Sequence, residues 1–264
     1  MNTSTTKWSD LAVRMGSAAV MVVVGLAGVA IGGHAFNVMV ALICGLSVWE
    51  LVRMLTPRTP AVAWQLALLA GAALLLSAYL PAGWALPILL APMMVGFGQL
   101  SQHRTIFMSY AVLVQLAGFG MMSVRGELGF GWMLWLVVVV VVTDVVGYFA
   151  GRMIGGPKFW PRVSPKKTWS GTAAGWVGAA LVGWITMAVT GATSELIGIS
   201  IAISMASQMG DIAESAIKRH MGVKDSSTLI PGHGGVLDRF DGMMGASVFL
   251  LIVGQIIGFP PGLV

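Results

Sequence analysis

Charge is scarce in this chain. Of 264 residues only 9% are Asp, Glu, Lys or Arg, and ten in all are acidic. A soluble domain carries about 25% charged residues, so too little polar surface exists here to cover a water-exposed fold. Cysteine is scarcer still. Cys44 is the single one and lies within an apolar run, which excludes a disulfide framework and a thiolate metal cage. Long polar linkers and fixed-period repeats are also lacking, which argues against a string of separate domains or a solenoid. The start, MNTSTTKWSD, has none of the pattern of a cleavable signal and leads into a run long enough to span, so a retained first helix is expected.

What is present is apolar. Hydrophobic residues make up 57% of the chain and the mean hydropathy is +0.87. Stretches of about 20 apolar residues recur, each long enough to cross a bilayer as a helix. The sequence therefore predicts an all-α polytopic integral membrane protein with about nine transmembrane helices, at 11–32, 35–55, 61–80, 82–100, 105–124, 129–150, 172–191, 195–219 and 242–262. With the N-terminus in the cytoplasm, every Lys and Arg except Arg125 falls on the cytoplasmic side, as the cost of moving cationic loops across the membrane requires. Residues 1–128 read as N-terminal helices with a structural, dimer-forming or lipid-facing role. Glu50, His103 and Glu127 read as membrane-interface residues. Residues 129–264 read as the catalytic region, with its site facing the cytoplasm.

Three polar constellations lie in that second half. In TDVVGYFAGRMIGG, Asp144 follows six valines. A carboxylate at that depth costs several kcal/mol unless it pairs, meets water or binds a cation, and the bland alternative is an ion pair with Arg152. In KFWPRVSPKKTWSG, the paired Lys166 and Lys167 stand beside the Ser164 and Thr168 hydroxyls, between restricting prolines. Such a loop is either ordinary positive-inside charge or a polyphosphate contact. In SQMGDIAESAIKRH, Asp211, Glu214, Ser215 and Lys218 share one helical face. Oxygen ligands of this kind suit Mg²⁺, which takes one or two carboxylates and completes its shell with water and phosphate.

The last of these runs on into PGHGGVLDRFDG, 231–242, with four glycines in twelve residues. Glycine lets the backbone approach a ligand closely, and successive N–H groups form an anion-binding concavity. Asp238 and Asp241 would bring further carboxylates to the same cation, while Arg219, Lys224 and Arg239 would neutralise phosphate. His233 would orient the loop, contact phosphate or cap a turn. Residue chemistry alone thus reaches a metal-dependent phosphate-handling site.

The segment from Ser215 to Asp241 resembles the signature of the phosphatidate cytidylyltransferases, or CDP-diacylglycerol synthases: S-x-x-K-R, then K-D, then P-x-H-G-G-x-x-D-R-x-D. Ser215, Lys218, Arg219, Lys224, Asp225, Pro231, His233, Gly234, Gly235, Asp238, Arg239 and Asp241 fill its fixed positions. Gly210-Asp211, the D-x-x-x-Y-F-x-G-R from Asp144 to Arg152 and the S-P-K-K-T-W from Ser164 to Trp169 are similar to that family too. The chain departs at Ser170-Gly171, where many members have Glu-Gly.

The resemblance implies transfer of the cytidylyl group from CTP to phosphatidate, giving CDP-diacylglycerol and pyrophosphate for phospholipid biosynthesis. It also implies Mg²⁺, with K⁺ sharing the centre, and commonly a homodimer. Asp211 and Asp238 then correspond to the metal carboxylates, with Asp144, Glu214 and Asp241 as further candidates. Lys166, Lys167 and Arg239 would contact polyphosphate, and Lys218 and Arg219 the lipid phosphate. Substrate contacts are also expected of Asp144, Ser164, Thr168, Ser215, Lys224, His233, Gly234 and Gly235. Two other readings compete: a CTP-dependent lipid kinase of the dolichol kinase type, and an ion or solute transporter using Asp144 and Asp211. No nucleic-acid partner is expected, because the positive charge is placed by membrane topology.

Overall fold

A computed structural model describes residues 4–262, with side chains from Leu11 onward except Ala82; Lys7 and Trp8 lie outside the described side chains. The element order is α1 (Ser4–Ile31), α2 (Gly33–Leu55), α3 (Pro60–Ser77), α4 (Ala82–Gln99), α5 (Arg104–Ser123), α6 (Phe130–Met153), strands β1 (Lys158–Trp160) and β2 (Ser164–Thr168), α7 (Trp169–Thr190), α8 (Glu195–His220) and α9 (Leu237–Ile257). Eight of these helices are long and apolar enough to cross a membrane. The exception is α4, interrupted by Pro87 and Pro92 and continuously apolar only over Gly83–Gln99. Large side chains such as Leu68, Val177 and Val189 are 70–81% exposed. So much outward-facing oil needs lipid against it. The protein is a polytopic all-α membrane protein.

Three local features differ from the sequence expectation. The gap expected between the spans 105–124 and 129–150 is instead filled by one π-helical turn, Val124–Leu128, that continues α5. The cationic loop folds back as an antiparallel hairpin, with Lys158 opposite Thr168 and Trp160 opposite Ser164. Finally, α9 begins at Leu237 instead of 242. Asp238 and Asp241 therefore belong to its first turns and not to a flexible loop.

The chain divides into two compact units: residues 1–115 with 221–240, and residues 116–220 with 241–264. The glycine-rich segment, expected to belong to the C-terminal region, groups with the first four helices.

In the first unit α2 packs along α3, and α3 along α4. The α2–α3 crossing is close because it is lined by small residues: a Cβ on Gly45 would stand 3.0 Å from the Ala67 carbonyl, and one on Gly71 would stand 3.2 Å from the Ala41 carbonyl. Lipid tails remove most of the hydrophobic drive for helix association, so close approach of this kind supplies the packing. Cys44, fully buried nearby, donates to the Val114 carbonyl at 3.6 Å. It is a core residue, as its apolar context suggests.

In the second unit α6 packs on α7 and α7 on α8. Gly147 and Gly171 face one another across the first crossing, where a Cβ on Gly147 would lie 3.0 Å from the Gly171 carbonyl. The hairpin is tied to the start of α7. Thr168 accepts from the Gly171 N–H at 3.2 Å as the N-cap of that helix, the Trp169 N–H donates to the Pro157 carbonyl at 3.0 Å, and Phe159 meets the Trp169 ring edge-on at 4.6 Å.

Candidate active site

Where α6, the hairpin, α7 and α8 come together, the second unit encloses a cavity of about 570 Å³, within the range of small-molecule clefts. Two carboxylates line it, Asp144 from α6 and Asp211 from α8, together with four cations: Arg152, Lys158, Lys166 and Lys167. The close α6–α7 crossing turns Asp144 and Arg152 toward the hairpin's lysines, and glycines at 147, 151 and 171 leave the cavity free of side-chain bulk there. Asp211 is the best-defined polar group. Its Oδ2 pairs with Lys167 Nζ at 2.5 Å, both side chains being partly exposed, and Ser215, one turn along, donates to its Oδ1 at 3.1 Å.

Several expected site residues meet here and others do not. Asp144, Lys166, Lys167, Thr168 and Asp211 share the cavity. Thr168 is also buried as a helix cap. Ser164 lies opposite Trp160 in the hairpin and is not among the lining residues. Arg152 donates to Tyr148 Oη at 2.9 Å. Glu214 is fully buried and pairs with Lys218 at 2.5 Å, one turn away on α8. Asp241, in the first turns of α9, accepts from the Gly242 N–H at 2.7 Å and is not among the residues lining the cavity. Gln208 was not anticipated. It lines the cavity with its amide fixed at both ends, accepting from Trp176 Nε1 at 2.9 Å and donating to the Thr172 carbonyl at 3.2 Å. Its polarity in an apolar helix was the available signal.

The glycine-rich segment is built differently. In the first unit, Asp238 Oδ2 accepts from the Ser226 N–H, the Ser226 hydroxyl and the Gly235 N–H, each at 2.8 Å. His233 Nδ1 meets Ser17 Oγ of α1 at 2.9 Å, and the same hydroxyl donates to the Pro231 carbonyl at 2.9 Å. Gly232 lies against the Arg14 side chain. Arg219, Lys224 and Arg239 are exposed. The tight turn that pairs Ile230 with Gly234, closed by the His233 N–H on the Ile230 carbonyl at 2.9 Å, uses two left-handed residues, Gly232 at φ +75° and Gly234 at φ +87°.

Among the described residues, no three acidic, imidazole or thiol side chains are placed to hold a metal ion by themselves. The donor set that does occur, Asp144 and Asp211 on one cationic cavity, fits a Mg²⁺ ion that carries water and substrate phosphate in the rest of its shell.

Comparison with known proteins decides the lineage. The Cytidylyltransferase family matches residues 12–257, nearly the full described length. The chain belongs to the cytidylyltransferase family. Among curated members, a phosphatidate cytidylyltransferase of Brucella abortus biovar 1 (strain 9-941) is 45% identical over 152 residues, which cover 54% of this chain and 56% of that protein. Proteins of the same name from Staphylococcus saprophyticus and Staphylococcus aureus (strain COL) are 39% and 38% identical over 160 and 154 residues, covering 61% and 59% of their lengths. The chain thus matches little more than half the length of these relatives. Within the cytidylyltransferase family match fall both the cavity of α6–α8 and the glycine-rich segment.

Proposed function

We propose that this chain is a phosphatidate cytidylyltransferase, converting CTP and phosphatidate to CDP-diacylglycerol and pyrophosphate. One observation carries the proposal: four cations and two carboxylates share one cavity in a chain of which only 9% is charged. A triphosphate needs the cations, and its divalent counter-ion needs the carboxylates. The relatives' names supply the substrates.

In this reading a phosphatidate oxygen attacks the α-phosphorus of CTP in line. The new P–O bond forms as the bond from the α-phosphorus to the bridging oxygen breaks, and pyrophosphate leaves with that electron pair. Phosphatidate is ionised at pH 7, so no general base is assigned. Lys166 and Lys167 hold polyphosphate, with Arg239 as a further candidate. Lys167 has a second task, because a polyphosphate competes with Asp211 for its ammonium. Drawing Lys167 away frees the Asp211 carboxylate for Mg²⁺. Asp144 and Asp211, with Asp238 as the family resemblance implies, would hold this ion; K⁺ is proposed to share the centre. When bound, the ion offsets charge on the phosphate oxygens and the leaving group. Positioning and charge compensation by the chain's own residues supply the remaining catalysis.

The site is proposed to face the cytoplasm of a bacterial inner membrane, where CTP is available, with a homodimer as the family's common assembly. Purified protein supplied with phosphatidate, Mg²⁺ and CTP labelled in cytidine tests the reading. Label in the lipid with release of pyrophosphate is expected. CDP release with an unlabelled lipid product would establish a kinase, and solute uptake by vesicles without CTP would establish a transporter.

A further inference from the structure

The anion-binding concavity expected in the glycine-rich segment exists, and the protein fills it itself. Val236 N–H donates to Glu50 Oε1 at 2.9 Å and Leu237 N–H to Oε2 at 2.7 Å. Ser227 donates to Oε1 at 2.6 Å, and the Ser226 hydroxyl, whose one proton is shared with Asp238 Oδ2 at 2.8 Å, reaches Oε2 at 3.1 Å. Donors thus meet both oxygens of the carboxylate. Glu50 is 0% exposed, and it takes part in neither ion pair found among the described residues. Its charge is instead met by oriented N–H groups at the N-terminus of α9, where a helix favours an anion. Every group involved belongs to the first compact unit.

The same contact explains a residue of the signature. A Cβ on Gly235 would stand 2.6 Å from Glu50 Oε1 and would also strike Ser226. Glycine is present there so that this carboxylate can reach the backbone. Asp238 then closes the other side through Ser226 and Gly235. A residue of α2 therefore fixes both ends of segment 226–238, some 180 residues further along the chain.

We propose that Glu50 is the positioning residue of the signature segment: its carboxylate takes the place of a bound anion at the start of α9 and holds Ser226 to Asp238, with His233 between them, in the arrangement used for the transfer reaction. This rests on the function proposed above only in taking that segment to serve catalysis.

The test uses full-length Glu50→Ala and Glu50→Gln proteins, with hydrogen exchange and steady-state kinetics measured on the same samples. Exchange in peptides covering 225–238 is expected to rise at least about tenfold for Ala and less for Gln, which keeps one acceptor oxygen. The hairpin at 158–168 should be unchanged. Per folded molecule, kcat should fall about 10²-fold while KM for CTP stays within about twofold. A loss of folding alone would lower the yield and leave kcat intact. Unchanged exchange at 225–238 overturns the proposal whatever the activity. Raised exchange with unchanged kcat also overturns it, because the segment's order would then not serve the reaction. Should Glu50→Ala not fold, Glu50→Gln decides by the same criteria. A wild-type protein without transferase activity would instead sink the proposed function, and the exchange result would still be read separately.

Discussion

Two sets of carboxylates in this protein are used in opposite ways. In the first unit Glu50 and Asp238 are buried and bonded to backbone N–H groups and serines. In the second, Asp144 and Asp211 open onto a cavity with four cations, and Asp211 holds a lysine that another anion could claim. Glu50, met on both oxygens by fixed dipoles, organises backbone, and Asp238 commits its Oδ2 to the same task beside its proposed part in holding the ion. A carboxylate met by a mobile ammonium stays available to a ligand. Residue type does not distinguish these cases; the donors around each group do.

Substitutions can break this contrast, and the expected effects descend in size. Asp211→Asn should keep the fold and lower CDP-diacylglycerol formation by about 10³-fold at every Mg²⁺ concentration, since it removes charge where phosphate and metal meet. Near-normal turnover would remove Asp211 from the site. Asp238→Asn should act on stability as well as turnover. An asparagine can keep its carbonyl oxygen toward the three donors that meet Oδ2, but each bond then lacks its charge, a loss of about 1 kcal/mol apiece, and melting temperatures in detergent would show a drop of several degrees. An unshifted melt would mean that the charge on these bonds is dispensable.

Smaller changes sharpen the contrast. Gly235→Ala should destabilise by about 1–3 kcal/mol through overpacking against Glu50 and Ser226; a denaturation midpoint equal to wild type would contradict the crowding. Lys167→Ala should raise KM for CTP about tenfold, roughly 1.4 kcal/mol of binding, with a smaller change in kcat. An unaltered CTP dependence would refute the contact. Ser164→Ala should leave KM for CTP within about twofold, and a larger effect would restore Ser164 to the binding set.

Much of this was legible in the sequence. The apolar runs placed the nine helices among the described residues, eight of them long and apolar enough to span, because a bilayer imposes one length and one solvent on every span. Asp144 and Asp211 were marked out because charge in an apolar segment is costly unless used, and Lys166 and Lys167 because they stand paired beside hydroxyls between restricting prolines; the four share a cavity. What escaped was anything fixed by distant partners. The start of α9 could not be read from VLDRF, because the side chain that meets its first N–H groups comes from α2, 187 residues earlier. Glu50 looked like an ordinary interface residue for the same reason. The hairpin was hidden because its strands hold three lysines and a proline, and are anchored to α7 by Thr168 and Trp169 contacts that composition does not reveal.

The deep burial of Cys44 has a practical use. With its thiol shut inside α2's packing against neighbouring helices, the natural chain should be silent toward water-soluble maleimides. Single cysteines placed at the exposed Arg58, Ser194 or Lys224 could then report which side of a vesicle each loop occupies, without first removing the native one. Orientation of the whole protein becomes measurable against a clean background.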